Sequence, residues 1–263
     1  MRRVLGIAIA AALSGPAMAA DLYRPPVKAP SYAAPFSWSG TYVGANLGYA
    51  WGTFAFNPVT TNNLTGAVNG PGGVTVNNNS IIGGLQVGYN WQVGQWVLGL
   101  EQDFQFTGMK QGFTFAAPAG AFLAGDSISA KTDYLSGTRA RLGFAWDRVL
   151  IYAAGGLETA MLDATSIYVS RGAGGSAALA FTDNNKYHFG YNIGGGIDCA
   201  VTNNVWLGIE YRYFDVGNET YNLGAFTPAG GAAQTASSTV GLKASEVTAR
   251  LNLKLNGLGW FGL

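Results

Sequence analysis

Several charged residues of this chain stand two positions apart: Glu101 and Asp103, Arg139 and Arg141, Glu210 and Arg212. A two-residue step keeps side chains on one face of a strand. Glu158, Asp198, Glu246, Arg250 and Lys254 fall on equivalent positions of their own segments, which gives six acidic and five basic groups in one set. Such a set could form a charged constriction that passes small solutes. It could equally be a structural core of ion pairs. Charges removed from water must be paired, and the near balance of the set favours the core.

Other chemistry finds little support. His188 is the one histidine, and no serine motif stands near it. Asp183 is its nearest acid in sequence, so a lipid-modifying rim site is a weaker reading than a packed histidine. Cys199 is the one cysteine and reads as a small apolar residue, which leaves no intramolecular disulfide. No His/Cys cluster has metal-ligand spacing. Gly194-Gly195-Gly196 precedes no helix and is not a dinucleotide loop. The sequence implies no enzyme, metal or cofactor.

The elements that position these groups are read from a strict alternation of apolar with small or polar residues. It predicts eight strands: Trp38 to Trp51, Ile81 to Trp91, Trp96 to Phe106, Lys131 to Trp146, Val149 to Met161, Tyr187 to Val201, Val205 to Asp215 and Ser245 to Leu255. In the first, Val43, Ala45, Leu47, Tyr49 and Trp51 share one face, and Tyr42, Gly44, Asn46, Gly48 and Ala50 the other. The apolar faces suit lipid and the faces with the charges suit a closed interior. Gln102 breaks the apolar face of the third strand. An eight-stranded interior is just wide enough to be filled by side chains, and the thirty-nine glycines make room in it.

The gaps alternate in length. Short turns at Gln92–Gln95, Asp147-Arg148 and Thr202–Asn204 alternate with four long connections, at roughly 52–80, 107–130, 162–186 and 216–244. Bacterial outer-membrane barrels have short periplasmic turns and long outer loops, which puts both termini in the periplasm. Trp38, Trp91, Trp96, Trp146 and Trp206 fall at the short-turn ends, where an aromatic belt is expected. The expected architecture is all-β: an eight-stranded antiparallel up-and-down transmembrane barrel with four long outer loops.

The chain opens with a targeting signal over residues 1–19: Arg2 and Arg3, the apolar run Val4 to Leu13, and the Ala17-Met18-Ala19 cleavage site. Arg2 and Arg3 leave with it, so the fifteen Lys and Arg fall to thirteen, against fourteen Asp and Glu. No basic patch favours nucleic acid. Only 11% of residues are charged, yet no apolar run outside the signal is long enough for a membrane helix. Residues 20–37, with Pro25, Pro26, Pro30 and Pro35, read as an extended periplasmic linker, and residues 38–263 as the barrel.

Phe36-Ser37-Trp38-Ser39-Gly40-Thr41-Tyr42-Val43-Gly44, followed by Asn46-Leu47-Gly48-Tyr49, resembles the opening strand of the small outer-membrane antigens of alphaproteobacteria, the "porin family" or outer-membrane immunogenic proteins. Gly83 to Gln105, Gly137 to Leu157 and Gly194 to Gly217, with Glu210-Tyr211-Arg212-Tyr213, are similar pieces in matching order. The resemblance implies an eight-stranded barrel in the cell outer membrane, with outer-membrane lipid or lipopolysaccharide and the barrel-assembly machinery as partners. It leaves open a structural and surface role, a small-solute porin, or capture of a ligand such as haem by the outer loops. Members usually end on an aromatic residue that closes the last strand. Here Asn256 to Leu263 follow Leu255.

Overall fold

A computed structural model describes residues 36–169, 178–228 and 231–255. The expected signal, all but the last two residues of the linker, and the 256–263 extension lie outside the described residues. The strands are β1 (Gly40–Asn62), β2 (Val68–Asn69), β3 (Val74–Val93), β4 (Trp96–Thr114), β5 (Ser127–Trp146), β6 (Val149–Tyr168), β7 (Leu179–Ala200), β8 (Val205–Phe226) and β9 (Gln234–Lys254). Each long strand pairs antiparallel with the next, and β1 also pairs with β9, from Tyr42↔Lys254 to Asn62↔Gln234. The sheet is therefore a closed eight-stranded barrel, with the two-residue β2 as an extra rung on β1. The Leu255 N–H still donates to the Thr41 carbonyl at 2.9 Å, so the closing seam runs to the end of the described chain.

The short turns lie where the sequence puts them. Gly94 (φ 63°) and Asp147 (φ 50°) supply left-handed backbone in two of them. The other end differs. The strands run up to about a dozen residues further than the alternation predicts, so the connections shrink to 63–73, 115–126, 169–178 and 227–233. Strands of 19 to 23 residues are roughly twice the 9–11 that cross a bilayer at a 45° tilt.

The exterior explains the extra length. Leu47, Leu85, Leu100, Leu142, Ile151, Ile193, Ile209 and Leu251 form an exposed apolar band. Tyr49, Trp51, Phe106, Phe189 and Tyr211 border it on the side away from the short turns. Beyond that border the outward positions become polar, with Thr53, Asn77, Asn79, Lys110, Thr165, Thr182 and Thr239 among them. The interior inverts at the same level: Phe54, Phe56, Met109, Phe122, Leu162, Tyr168, Phe214, Leu223 and Val240 pack into one buried apolar core. The barrel is thus polar inside a lipid-facing wall at one end, and apolar inside a water-facing collar at the other.

Bulges mark the transition. Pairing slips between Phe106 and Met109, Thr132 and Tyr134, Leu162 and Ala164, and Asp215 and Asn218. Each extra residue bends its strand and re-aims the side chains after it. Gln102 keeps its outward place. Its Nε2 donates to Ser136 Oγ at 2.7 Å and its Oε1 accepts from the Thr138 hydroxyl, a polar patch on the lipid-facing wall that is satisfied within the sheet.

Candidate functional site: the charged interior

Inside the apolar band, alternation turns Glu101 and Asp103 of β4, Arg139 and Arg141 of β5, Glu158 of β6, Asp198 of β7, Glu210 and Arg212 of β8, and Glu246 and Arg250 of β9 toward the axis. All are at most 4% exposed. Glu101 is the hub. One carboxylate oxygen, Oε1, accepts from Arg139 Nε at 3.1 Å and Nη2 at 2.6 Å. The other accepts from Tyr42 Oη at 2.6 Å, from Arg141 Nη1 at 3.3 Å and from Arg250 Nη2. Glu210, on β8, takes Arg139 Nη1 at 2.6 Å, Tyr152 Oη at 2.6 Å and Arg250 Nη1. Arg139 and Arg250 each bridge these two carboxylates, from opposite sides of the barrel wall.

Two further groups flank the hub. Toward the short turns, Arg141 Nη2 meets Asp198 Oδ2 at 2.7 Å, and its guanidinium lies 3.8 Å from the centre of the Tyr152 ring. Toward the collar, Arg212 donates Nη1 to both oxygens of Asp103, at 3.1 and 2.9 Å, and Nε to Glu246 Oε1 at 2.9 Å. Its Nη1 is 3.6 Å from Glu158 Oε2, which accepts from Asn192 Nδ2 at 2.9 Å. Gln105 Nε2 donates to Glu246 Oε1 at 3.1 Å. Low local dielectric strengthens such charge-assisted contacts. Glycines give the side chains room: a Cβ on Gly137 would stand 3.0 Å from both Arg212 Nη1 and Asp103 Oδ2, and one on Gly208 2.0 Å from Asp198 Oδ1.

Lys254 does not join this set. At the short-turn rim its Nζ donates to the Ser37 carbonyl at 2.7 Å and lies 5.8 Å from the Phe36 ring. Lys254 is the last residue of β9, four positions beyond Arg250 and at the rim end of the strand. Of the expected set, six carboxyls and four guanidiniums therefore lie in the interior.

The tryptophans also divide. Trp91, Trp96 and Trp146 are exposed at the short-turn rim, whereas Trp38 and Trp206 are fully buried inside it. Residues 36–39 precede the strand and turn under the barrel, so Trp38 is free of strand parity. Its indole Nε1 donates to the Asp147 carbonyl at 3.0 Å, and its ring packs edge-on against Trp206 (5.6 Å) and Phe36 (4.9 Å). The sequence carries one signal for this: Trp206 shares the parity of Glu210 and Arg212.

His188 is buried where the charged interior meets the apolar core. Tyr221 Oη donates to the Leu162 carbonyl at 3.1 Å, and so accepts from His188 Nε2 at 2.8 Å. Asp183 is engaged elsewhere, by the Asn222 N–H at 2.8 Å and Lys186 Nζ at 2.9 Å. Cys199 points to lipid. In the water-facing collar, the hydrogen bond that Lys131 donates to the Asp133 carboxylate holds its ammonium above the ordinary lysine range, and the one Lys243 donates to Asp215 does the same.

Fold and interior define a small membrane-spanning β-barrel. The sequence pattern of the outer membrane protein beta-barrel domain matches residues 6–244. The 31 kDa outer-membrane immunogenic protein of Brucella melitensis biotype 1 is 35% identical over 222 residues, covering 82% of this chain and 88% of that one. The 22 kDa outer membrane protein of Rhizobium leguminosarum bv. viciae is 28% identical over 190 residues, covering 71% and 68%. Among solved structures, the outer membrane protein OprG from Pseudomonas aeruginosa aligns with a TM-score of 0.46 at 10% identity, over 82% of this chain and 97% of that one. The chain belongs to the outer-membrane β-barrel family of small alphaproteobacterial antigens, and its place is the outer membrane.

Proposed function

We propose that this protein is a structural and surface component of the outer membrane whose lumen is shut by its own side chains. The observation that carries the reading is the bridging of Glu101 and Glu210 by Arg139 and Arg250, which ties β4, β5, β8 and β9 together across the axis. The Trp38–Trp206 layer lies on one side of it and the apolar core of the collar on the other. A solute would have to displace all three. Short turns on the periplasmic side put the collar and its connections at the cell surface, in keeping with relatives described as immunogenic. Among the described residues, the interior carboxylates and His188 are buried. Planar-bilayer recording of the purified protein tests the reading. Electrically silent insertion is expected, and steady openings abolished by blocking the lumen would overturn it.

A further inference from the structure

Two of the barrel's ladders stop short of the collar's rim. β3 and β4 are paired only from Val93↔Trp96 to Ile82↔Thr107. Beyond that level the two strands are clasped by side chains. Asn78 Nδ2 donates to the Lys110 carbonyl at 2.8 Å, Gln111 Nε2 to the Asn77 carbonyl at 2.7 Å, and the Gly108 N–H to Ser80 Oγ at 3.2 Å. A groove of about 550 Å³ runs along this seam on the outer surface, lined by Trp51, Thr53, Asn77, Asn79, Lys110 and Gln111. It starts at the aromatic border, where hydrocarbon gives way to headgroups.

The groove has three chemistries side by side. Trp51 is 43% exposed and presents an apolar ring. Asn79 and Asn77 stand in register with Trp51 and Thr53, placing amides beside that ring. Lys110 supplies a cation. Lys131, Lys186 and Lys243 each have a carboxylate at 2.8 to 2.9 Å, whereas no ion pair within the described residues involves Lys110. It also lies directly opposite Lys131 in the β4–β5 register. Asp133 at 2.8 Å and Asp163 at 3.4 Å already hold the Lys131 ammonium, so a bound anion would fall to Lys110. Further down the same wall, an apolar trough of about 490 Å³ is lined by Val43, Ala45, Leu85, Val87, Phe104 and Leu251.

We propose that this groove binds the phosphorylated saccharide headgroup of an outer-leaflet glycolipid, the lipid A end of lipopolysaccharide. Lys110 takes the phosphate, the asparagines the sugar hydroxyls and Trp51 the sugar's C–H face, while an acyl chain lies in the trough. A lysine is an ordinary phosphate ligand, and cationic sites at membrane surfaces recognise lipid headgroups. The proposal rests on the outward orientation of the collar, but not on a shut lumen.

The test is titration of the full-length protein in detergent with diphosphorylated lipid A, read by native mass spectrometry and tryptophan fluorescence. Wild type should bind. Lys110→Ala should weaken binding about tenfold or more, the worth of a charged hydrogen bond, while Lys110→Arg retains most of it. Lys243→Ala, in the collar but away from the groove, should leave binding unchanged. Dephosphorylated lipid A should bind as weakly to wild type as lipid A does to Lys110→Ala. Glucosamine 1-phosphate, which has the headgroup chemistry without acyl chains, should need far higher concentrations. Equal binding by wild type and Lys110→Ala, or an equal loss in Lys243→Ala, would overturn the site. A failure here leaves bilayer conductance untouched, so it is distinguishable from failure of the shut-lumen reading.

Discussion

Arg139 and Glu101 stand directly opposite each other in the β4–β5 register and are joined twice, through Nε at 3.1 Å and Nη2 at 2.6 Å. The remaining Nη1 of the same guanidinium crosses the lumen to Glu210 on β8. One planar side chain thus converts a neighbouring-strand contact into a brace across the barrel. Lysine has neither the fork nor the reach for this.

Removing that brace should be costly. Arg139→Ala leaves Glu101 and Glu210 short of a partner in a buried interior, and breaking a buried pair costs about 3–5 kcal/mol. The urea midpoint for loss of the heat-modifiable folded band on gels should fall accordingly. Arg139→Lys should recover only part of the loss. A midpoint for Arg139→Ala within error of wild type would mean that the interior is wetter than its burial indicates.

Gly208 provides a second test, through volume rather than charge. Its backbone is ordinary, but an added Cβ would come within 2.0 Å of Asp198 Oδ1 and 3.1 Å of the Ile197 carbonyl. Asp198 would have to move away from Arg141. Gly208→Ala should therefore destabilise by about 1–3 kcal/mol, the usual range for overpacking. Gly155→Ala, whose Cβ would meet only the Asn192 carbonyl at 3.4 Å, should cost little. Parallel refolding yields and urea midpoints of the two variants check the contrast.

These two residues also show what could be read in the chain. Parity alone places Glu101, Asp103, Arg139, Arg141, Glu158, Asp198, Glu210, Arg212, Glu246 and Arg250 on one side of the wall, because a strand's two-residue period needs no tertiary information. Parity says nothing about height along the axis, which is why Lys254 shares the interior parity but bonds at the rim. The upper half of the barrel is hidden for a different reason. Val43, Ala45 and Leu47 are apolar and outward, whereas Phe54 and Phe56 on the same strand are apolar and inward. A rule that equates apolar with lipid-facing loses the strand where water replaces lipid. Bulges such as the one between Thr132 and Tyr134 then shift the parity itself. Trp38, outside any strand, carries no periodic signal.

The level at which lipid gives way to water can be measured. In a Cys199→Ala background, single cysteines at Leu47, Leu85 and Leu251 should resist a membrane-impermeant maleimide applied to intact cells. Cysteines at Asn79, Thr165 and Thr239, on the collar's outer face, should react within minutes. The native Cys199, exposed on the lipid-facing wall, should also stay unlabelled until the membrane is dissolved. Labelling at Leu47→Cys, or protection at Thr239→Cys, would move the membrane border away from the Trp51 level.

The last prediction follows from the mismatch between six carboxyls and four guanidiniums. The surplus is not spread evenly. Glu101 accepts from three arginines and Tyr42. Glu158 has one hydrogen-bond donor, Asn192 Nδ2 at 2.9 Å, with Arg212 at 3.6 Å, and its Oε1 is buried without a partner. Excess buried charge is unfavourable and a neutral amide of the same shape removes it. Glu158→Gln should therefore change the urea midpoint by less than about 1 kcal/mol, or raise it, since its carbonyl oxygen can still accept from Asn192. Glu101→Gln should lose about 3 kcal/mol or more, because it strips a charge from a hub already matched by its guanidiniums. Equal losses in the two variants would show that the interior values each carboxylate alike, and that the uneven partnering has no energetic consequence.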